Sequence, residues 1–338
     1  MNRLTRSFGF VLALVIVLLL TACSSSSSRS GLRQIRLVEV THSLFYAPQY
    51  VALEKGFFKE QGLDIQLSNG NGGDKTMTTL VAGQSDIVLV GAEAAIYVTA
   101  RSSAHPITAF AQLTQTDGSF LVSRQPIPHF DWSMLKGKSL LGQRRGGMPE
   151  MISEYVQRKH GLTPHKDVQI IQNVNYQNLA NAFVAGTGDF VQLFEPMASK
   201  IEKEKKGYIV ASFGKDSGHV PYTCYMTNQS YIKQNPDIIR RFTRAVQKGQ
   251  DWVATHTPGE IADVIAPQFP DTDRDILVRV IQRYKEQDSY AKNTIIDEEE
   301  YNRLLTVMSQ AGELPAKIPY QKLVDTSFAK EVSTKQKQ

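Results

Sequence analysis

The sequence predicts an α/β protein folded into two similar lobes, with a ligand cleft between them and a helical segment at the C-terminal end. Three observations carry this. Short β-type runs alternate with helix-type runs, the pattern of βαβ units. The stretch Leu80-Val-Ala-Gly83-x-x-Asp86-Ile-Val-Leu89 recurs as Phe183-Val-Ala-Gly186-x-x-Asp189-Phe-Val-Gln192, so a helix, a glycine stop, an acidic turn and a buried strand occur once in each half. About 300 residues also follow the N-terminal leader, roughly twice the usual size of one domain.

The leader reads first. Arg3 and Arg6 precede an apolar run, Phe8 to Leu20, that is too short to span a bilayer. Thr21 and Ala22 are small, and Cys23 follows them. This segment resembles a bacterial lipoprotein signal with its lipobox. The resemblance implies that residues 1–22 are a removed signal peptide and that Cys23 is lipidated. Five serines, Ser24 to Ser28, and the polar residues up to Gly31 make residues 23–31 a tether. The formal net charge of +5 falls to +3 once Arg3 and Arg6 are gone. No basic cluster interleaves with aromatics, so nucleic acid is not an expected partner. Apart from Cys23 the only cysteine is Cys224, which excludes an internal disulfide and reads as a buried small hydrophobe.

Within the body, Ile35, Leu37 and Val40 mark a first strand, Tyr50 to Gln61 a helix, and Ile65 and Leu67 the next strand. A turn at Asn69 to Gly73 leads into a helix from Asp74 to Ala82, stopped by Gly83, and a strand at Ile87 to Val90. The strands are expected to be largely parallel. Polar turns at Thr116 to Gly118 and Gln125 to Pro128, and again at Ser217 to His219, are two places where the chain can pass between lobes. The expected organisation is residues 32–123 as the first part of lobe 1, 124–217 as lobe 2, and 218–338 as the second part of lobe 1. The last part carries helices at Pro236 to His256, Pro258 to Phe269, Asp273 to Tyr284 and Glu298 to Ala311, expected to pack on the first lobe.

In open α/β sheets ligands sit beyond the carboxyl ends of strands, where helix N-termini also point. Ser43, Phe45 and Tyr46 follow the first strand and offer a hydroxyl and two rings. Gly73, Asp74 and Lys75 open a helix whose free N–H groups suit an acceptor or anion. Gly91 and Glu93 follow one strand of the repeat, and Glu195 follows the other. Gly146, Gly147 and Met148 stand at the start of a further helix, with Arg144 and Arg145 just before it. Tyr176 heads the next helix and offers an aromatic wall. No catalytic residue, metal site or cofactor is expected. Gly137-Lys-Ser139 is not the end of a phosphate-binding loop, because Trp132 stands where its first glycine must be. His160 and His165 are not spaced as zinc ligands on a helix.

The ordered succession of Thr41 to Tyr50, Gly56-Phe-Phe-Lys-Glu-Gln-Gly62, Gly72-Gly-Asp-Lys75, Gly91-Ala-Glu93, Gly146-Gly-Met-Pro149 and Phe194-Glu-Pro196 resembles the substrate-binding proteins of ABC importers. The branch is the one whose members bind nitrate, taurine, alkanesulfonates and pyrimidine precursors of thiamine. The resemblance implies a fold like the type II periplasmic binding proteins. It further implies a monomeric receptor, lipid-anchored on the extracytoplasmic face of the membrane, that closes on a small molecule and delivers it to an ABC permease and its ATPase. A pyrimidine-type thiamine precursor is the first expectation for the ligand, since the candidate site offers Glu93, Glu195 and aromatics. An alkanesulfonate, taurine or nitrate is the second. A pyrimidine-synthesising enzyme on the same fold is the third reading, but the cysteine-rich motif of that branch is absent here. The chain is therefore read as a binder, not an enzyme.

Overall fold

Among the described residues, ten strands build two sheets. In chain order they are β1 (Arg33–Glu39), β2 (Leu63–Asn69), β3 (Ile87–Gly91), β4 (Ile107–Thr114), β5 (Ser119–Ser123), β6 (Ser139–Leu141), β7 (Gln169–Ile171), β8 (Phe190–Phe194), β9 (Tyr208–Ser212) and β10 (Thr223–Asn228). The computed structural model describes residues 31–101 and 106–335. The expected signal peptide, the expected lipidation site Cys23 and the expected serine tether as far as Ser30 lie outside the described residues. From Gln34 onward the chain is one unit, and both sheets lie within it.

The strand orders are β2-β1-β3-β10-β4 and β7-β6-β8-β5-β9. Each sheet thus repeats one plan, with β1, β2 and β3 matched by β6, β7 and β8. The repeated acidic turn has the same job in both. Asp86 accepts the backbone N–H of Arg36 at 2.8 Å, and Asp189 accepts that of Ser139 at 2.8 Å. Each aspartate so ties the turn before β3 or β8 to the parallel neighbour β1 or β6. Gly83 and Gly186 both have positive φ, which a glycine stop adopts without a Cβ penalty.

The fourth strand of each sheet is exchanged. β5 leaves the first sheet's chain and enters the second, antiparallel to β8 and β9. β10 returns from the second and runs antiparallel to β3 and β4. The sheets are therefore mixed and not largely parallel as the sequence suggested. The passage out of the first sheet also precedes β5, at residues 115–118, instead of following Ser123. The physical reason is that a chain which crosses and returns must insert a strand running against its neighbours.

The helix expected over Tyr50 to Gln61 is two helices, Ala47–Glu54 and Phe57–Glu60, broken at Gly56 with φ of 74°. The C-terminal helices Pro236–Thr255, Pro258–Ile265, Arg274–Glu286 and Glu298–Gln310 stand close to where periodicity puts them. Pro236–Thr255 packs on the first lobe, against Ala47–Glu54, but Arg274–Glu286 also meets the second-lobe helix Met197–Lys203, and Glu298–Gln310 meets Met148–Lys159. The helical segment spans both lobes instead of covering one. Cys224, in β10, is fully buried.

Candidate functional site

A cleft of about 1220 Å³ opens between the carboxyl ends of the two sheets. Each sheet contributes loops that follow its strands, as the twisted α/β architecture requires. From the first lobe come Ser43, Phe45 and Tyr46 after β1, Gly73, Asp74 and Lys75 after β2, and Gly91 and Glu93 after β3. The second lobe supplies Gly146, Gly147 and Met148 after β6 and Tyr176 after β7. The structure brings these residues together around one space.

Glu195 is not among them. It is 2 % exposed, and its carboxylate accepts from the Ser199 N–H and hydroxyl, each at 2.8 Å, and from Arg283 Nη1 at 2.9 Å. Phe194, one residue earlier, lines the cleft instead. Successive residues at the end of a strand face opposite sides, so the aromatic ring turns in and the carboxylate turns away.

Of the two glutamates, Glu93 is the one that lines the cleft. It lies in the first turn of the helix Ala92–Arg101, is 8 % exposed, and its Oε2 has no hydrogen-bond partner. Burial pushes its carboxyl group up from an ordinary 4.5 to about 7, against the backbone N–H groups of Glu93, Met148 and Ala94, which pull it down. Met148 belongs to the opposite lobe. Gly91 makes this position possible, because a Cβ there would meet Glu93 Oε2 at 2.1 Å. The carboxylate is folded back over the glycine at the end of β3.

Rings surround this acid. Tyr46, Tyr97, Tyr176, Phe194 and Tyr222 all line the cleft. Phe45 forms the floor, edge-on to Tyr222 with centroids 5.5 Å apart and packed beside Gly118, where the chain leaves the first lobe. Tyr222 donates from its hydroxyl to Asp117 at 2.7 Å, a bond that joins the two passages between the lobes. Asp117 is fully buried, and burial raises it from 3.8 to about 6.

Lys75, Arg101 and Arg144 line the cleft, and of these Arg144 is held by an acid, as is Arg145 beside it. Arg144 Nη1 is 2.7 Å from Asp74, and Arg145 Nε is 2.8 Å from Glu313. The Tyr97 hydroxyl donates to the Gly146 carbonyl at 3.1 Å. All three contacts run from first-lobe elements or the C-terminal segment to one short stretch, Arg144 to Gly146. Asp74, the acid in the first turn of its own helix, thus also takes part in a cross-cleft pair.

Sequence reasoning named Tyr176 but missed Tyr97, Tyr222, Thr223 and the amide-rich neighbours of Tyr176, residues 172–175 and Gln177, all of which line the cleft. The last carried a usable signal. Gln172-Asn-Val-Asn-Tyr-Gln177 is an uncharged polar run directly after β7, where the carboxyl-end rule places ligand contacts. Tyr97 lies on a helix whose inward face only the partner lobe defines.

A family model described as NMT1/THI5 like matches residues 45–260. The chain belongs to this family. A protein of Bacillus subtilis (strain 168) named as a binding protein, YtlA, is 51% identical over 335 residues, covering 99% of both chains. The 4-amino-5-hydroxymethyl-2-methylpyrimidine phosphate synthase THI11 of Saccharomyces cerevisiae (strain ATCC 204508 / S288c) is 24% identical over 221 residues, 62% of this chain and 63% of that one. Among solved structures, the nitrate-binding protein NrtA of Synechocystis PCC 6803 superposes with a TM-score of 0.71 at 17% identity, over 90% of this chain and 89% of the other. The alkanesulfonate-binding protein SsuA of Xanthomonas axonopodis pv. citri, bound to MOPS, gives 0.70 at 13% identity, over 87% and 98%. The fold of this family member is that of the periplasmic binding proteins, with two mixed sheets and a helical C-terminal segment.

Proposed function

We propose that this family member is the extracytoplasmic solute-binding component of an ABC importer, held to the membrane through Cys23. Its ligand is a small planar molecule that donates hydrogen bonds, first of all a pyrimidine-type thiamine precursor. The observation that carries the ligand class is Glu93. A buried acceptor with an empty Oε2, set among aromatic rings, is costly until a ligand donor reaches it. An exocyclic amine does so while the flat ring packs between Tyr46, Tyr176 and Phe194. Closure follows by population shift, since the ligand touches both lobes only when they are shut.

An alkanesulfonate, taurine or nitrate is the second reading, and the helices opening at Gly73 and Met148 favour it, because their N-termini face the cleft. Against it, Arg144 and Arg145 are engaged by acids and Glu93 would repel an anion. An enzymatic role is weaker still. The one cysteine after Cys23, Cys224, is buried inside β10, away from the cleft.

Protein beginning at Ser24 should bind 4-amino-5-hydroxymethyl-2-methylpyrimidine and return it unchanged after denaturation. In cells, a clickable fatty acid should label the wild type but not Cys23→Ser. Multiple-turnover conversion of the pyrimidine would restore the enzyme reading, and equal labelling of Cys23→Ser would remove the anchor.

A further inference from the structure

Beneath the second-lobe wall of the cleft lies a buried group of acids that ligand contact alone does not explain. Glu150, in the first turn of the helix Met148–Lys159, is 3 % exposed and does not line the cleft. Its Oε2 accepts the Gly146 N–H at 3.1 Å, and its Oε1 accepts from Gln172 Nε2 at 3.1 Å. Gln172 Nε2 also reaches the Gln143 carbonyl at 3.2 Å. Gln143, Gly146 and Gln172 all line the cleft, and Gln172 leads into the loop that carries Tyr176.

A glutamate three residues into a helix often caps it by accepting a backbone N–H from the turn before. That accounts for the bond to Gly146 but not for the bond to Gln172, which belongs to another loop. The next turn adds a second acid. Glu154, 4 % exposed, brings its carboxylate within 4.8 Å of both the Glu150 carboxylate and the His165 imidazole. His165 Nε2 and Arg158 Nη2 each lie 2.8 Å from Glu154. Burial and the charge of Glu154 raise Glu150 from 4.5 to about 7. Tyr97 and Arg145, from the cleft side, also face its charge. The fold thus keeps two close buried acids where one capping residue would serve the helix.

We propose that Glu150 is a positioning residue for ligand capture, which fixes the second-lobe wall by accepting from both of the loops that build it. The inference rests on the cleft being the ligand site. Glu150→Gln separates this role from a merely structural one. The amide oxygen keeps one of the two bonds, while its NH2 then faces the other donor. At the same time the mutual repulsion with Glu154 disappears. Stability and affinity should therefore part company.

At pH 8, above the raised value of Glu150, Glu150→Gln should unfold at the wild-type temperature or above it. Its affinity for 4-amino-5-hydroxymethyl-2-methylpyrimidine should fall about tenfold, and that of Glu150→Ala further. Amide hydrogen exchange on the unliganded proteins gives a reading that needs no ligand. Exchange at Gly146, Gly147 and residues 173–177 should quicken in Glu150→Ala, while Glu93 and Ala94 stay as in the wild type. If the pyrimidine binds no variant, the exchange result decides the role of Glu150 by itself. Unaltered exchange in both loops would overturn the proposal. So would a lowered unfolding temperature in Glu150→Gln with undiminished affinity. Wild-type binding that needs zinc and is lost with a chelator would reassign Glu150, Glu154 and His165 to a metal.

Discussion

Glu93 and Glu195 show how far one position along a strand decides chemistry. The internal repeat, shifted so that Asp189 overlies Asp86, places Glu195 on Ala92 and Pro196 on Glu93. Ala92 is buried behind β3, and Glu195 is likewise buried behind β8, with Ser199 and Arg283 for partners. Only Glu93, one place further on, folds back over Gly91 into the cleft. The two acids should thus respond differently to removal. Glu195→Ala leaves the part-buried Arg283 guanidinium with only the more exposed Glu202, and breaking such a pair costs about 3 kcal/mol. A urea titration should show that loss, with ligand affinity moving far less. Undiminished stability together with lost binding would return Glu195 to the site. The register of the repeat carried this information, but the side to which the Glu195 carboxylate turns is held by Arg283, 88 residues away along the chain.

At the scale of elements, what was legible followed from local physics. The helix starting after Thr257 shows a Thr-x-x-Glu pattern in sequence, and Thr257 and Glu260 form the reciprocal cap. Gly83 and Gly186 end their helices as read, and the amphipathic C-terminal helices stand where their periodicity puts them. The break at Gly56 was less legible, because an apolar stripe continues through it and only the positive φ reveals the turn. The exchange of β5 and β10 was not legible at all. Both are short apolar runs, and which sheet receives them is settled by pairing with strands far away in sequence. The equivalence of the two lobes gives a prediction at this scale. Asp86→Ala and Asp189→Ala remove the same tie, a side chain holding the start of the neighbouring strand, and each should cost about 1–2 kcal/mol. Urea midpoints lowered in only one variant would contradict the shared plan.

Across the whole molecule, three buried acids set a common pH dependence. Burial raises Glu93 and Glu150 from 4.5 to about 7, and Asp117 from 3.8 to about 6. A raised carboxyl binds its proton more tightly in the folded chain, so its stabilising contribution is full below the ordinary value and is lost as pH rises through the folded one. His42, raised by its bond to Glu39, acts in the same direction. Exposed acids such as Asp189 and Asp263 are lowered by their partners, and their contribution is lost only as the solution becomes more acidic. The unfolding temperature should therefore peak near about pH 5 and fall towards pH 8. A temperature that rises over that interval would show that these acids are not buried as described. In the proposed function the Glu93 carboxylate is what the cleft offers its ligand, and calorimetry at pH 8 on the wild type and Glu93→Gln tests that most directly. The wild type should bind 4-amino-5-hydroxymethyl-2-methylpyrimidine, and Glu93→Gln should bind it about ten to a hundred times more weakly, the value of one charge-assisted bond. No pyrimidine binding by either protein, with an alkanesulfonate held by the wild type and held more tightly by Glu93→Gln, would contradict the account.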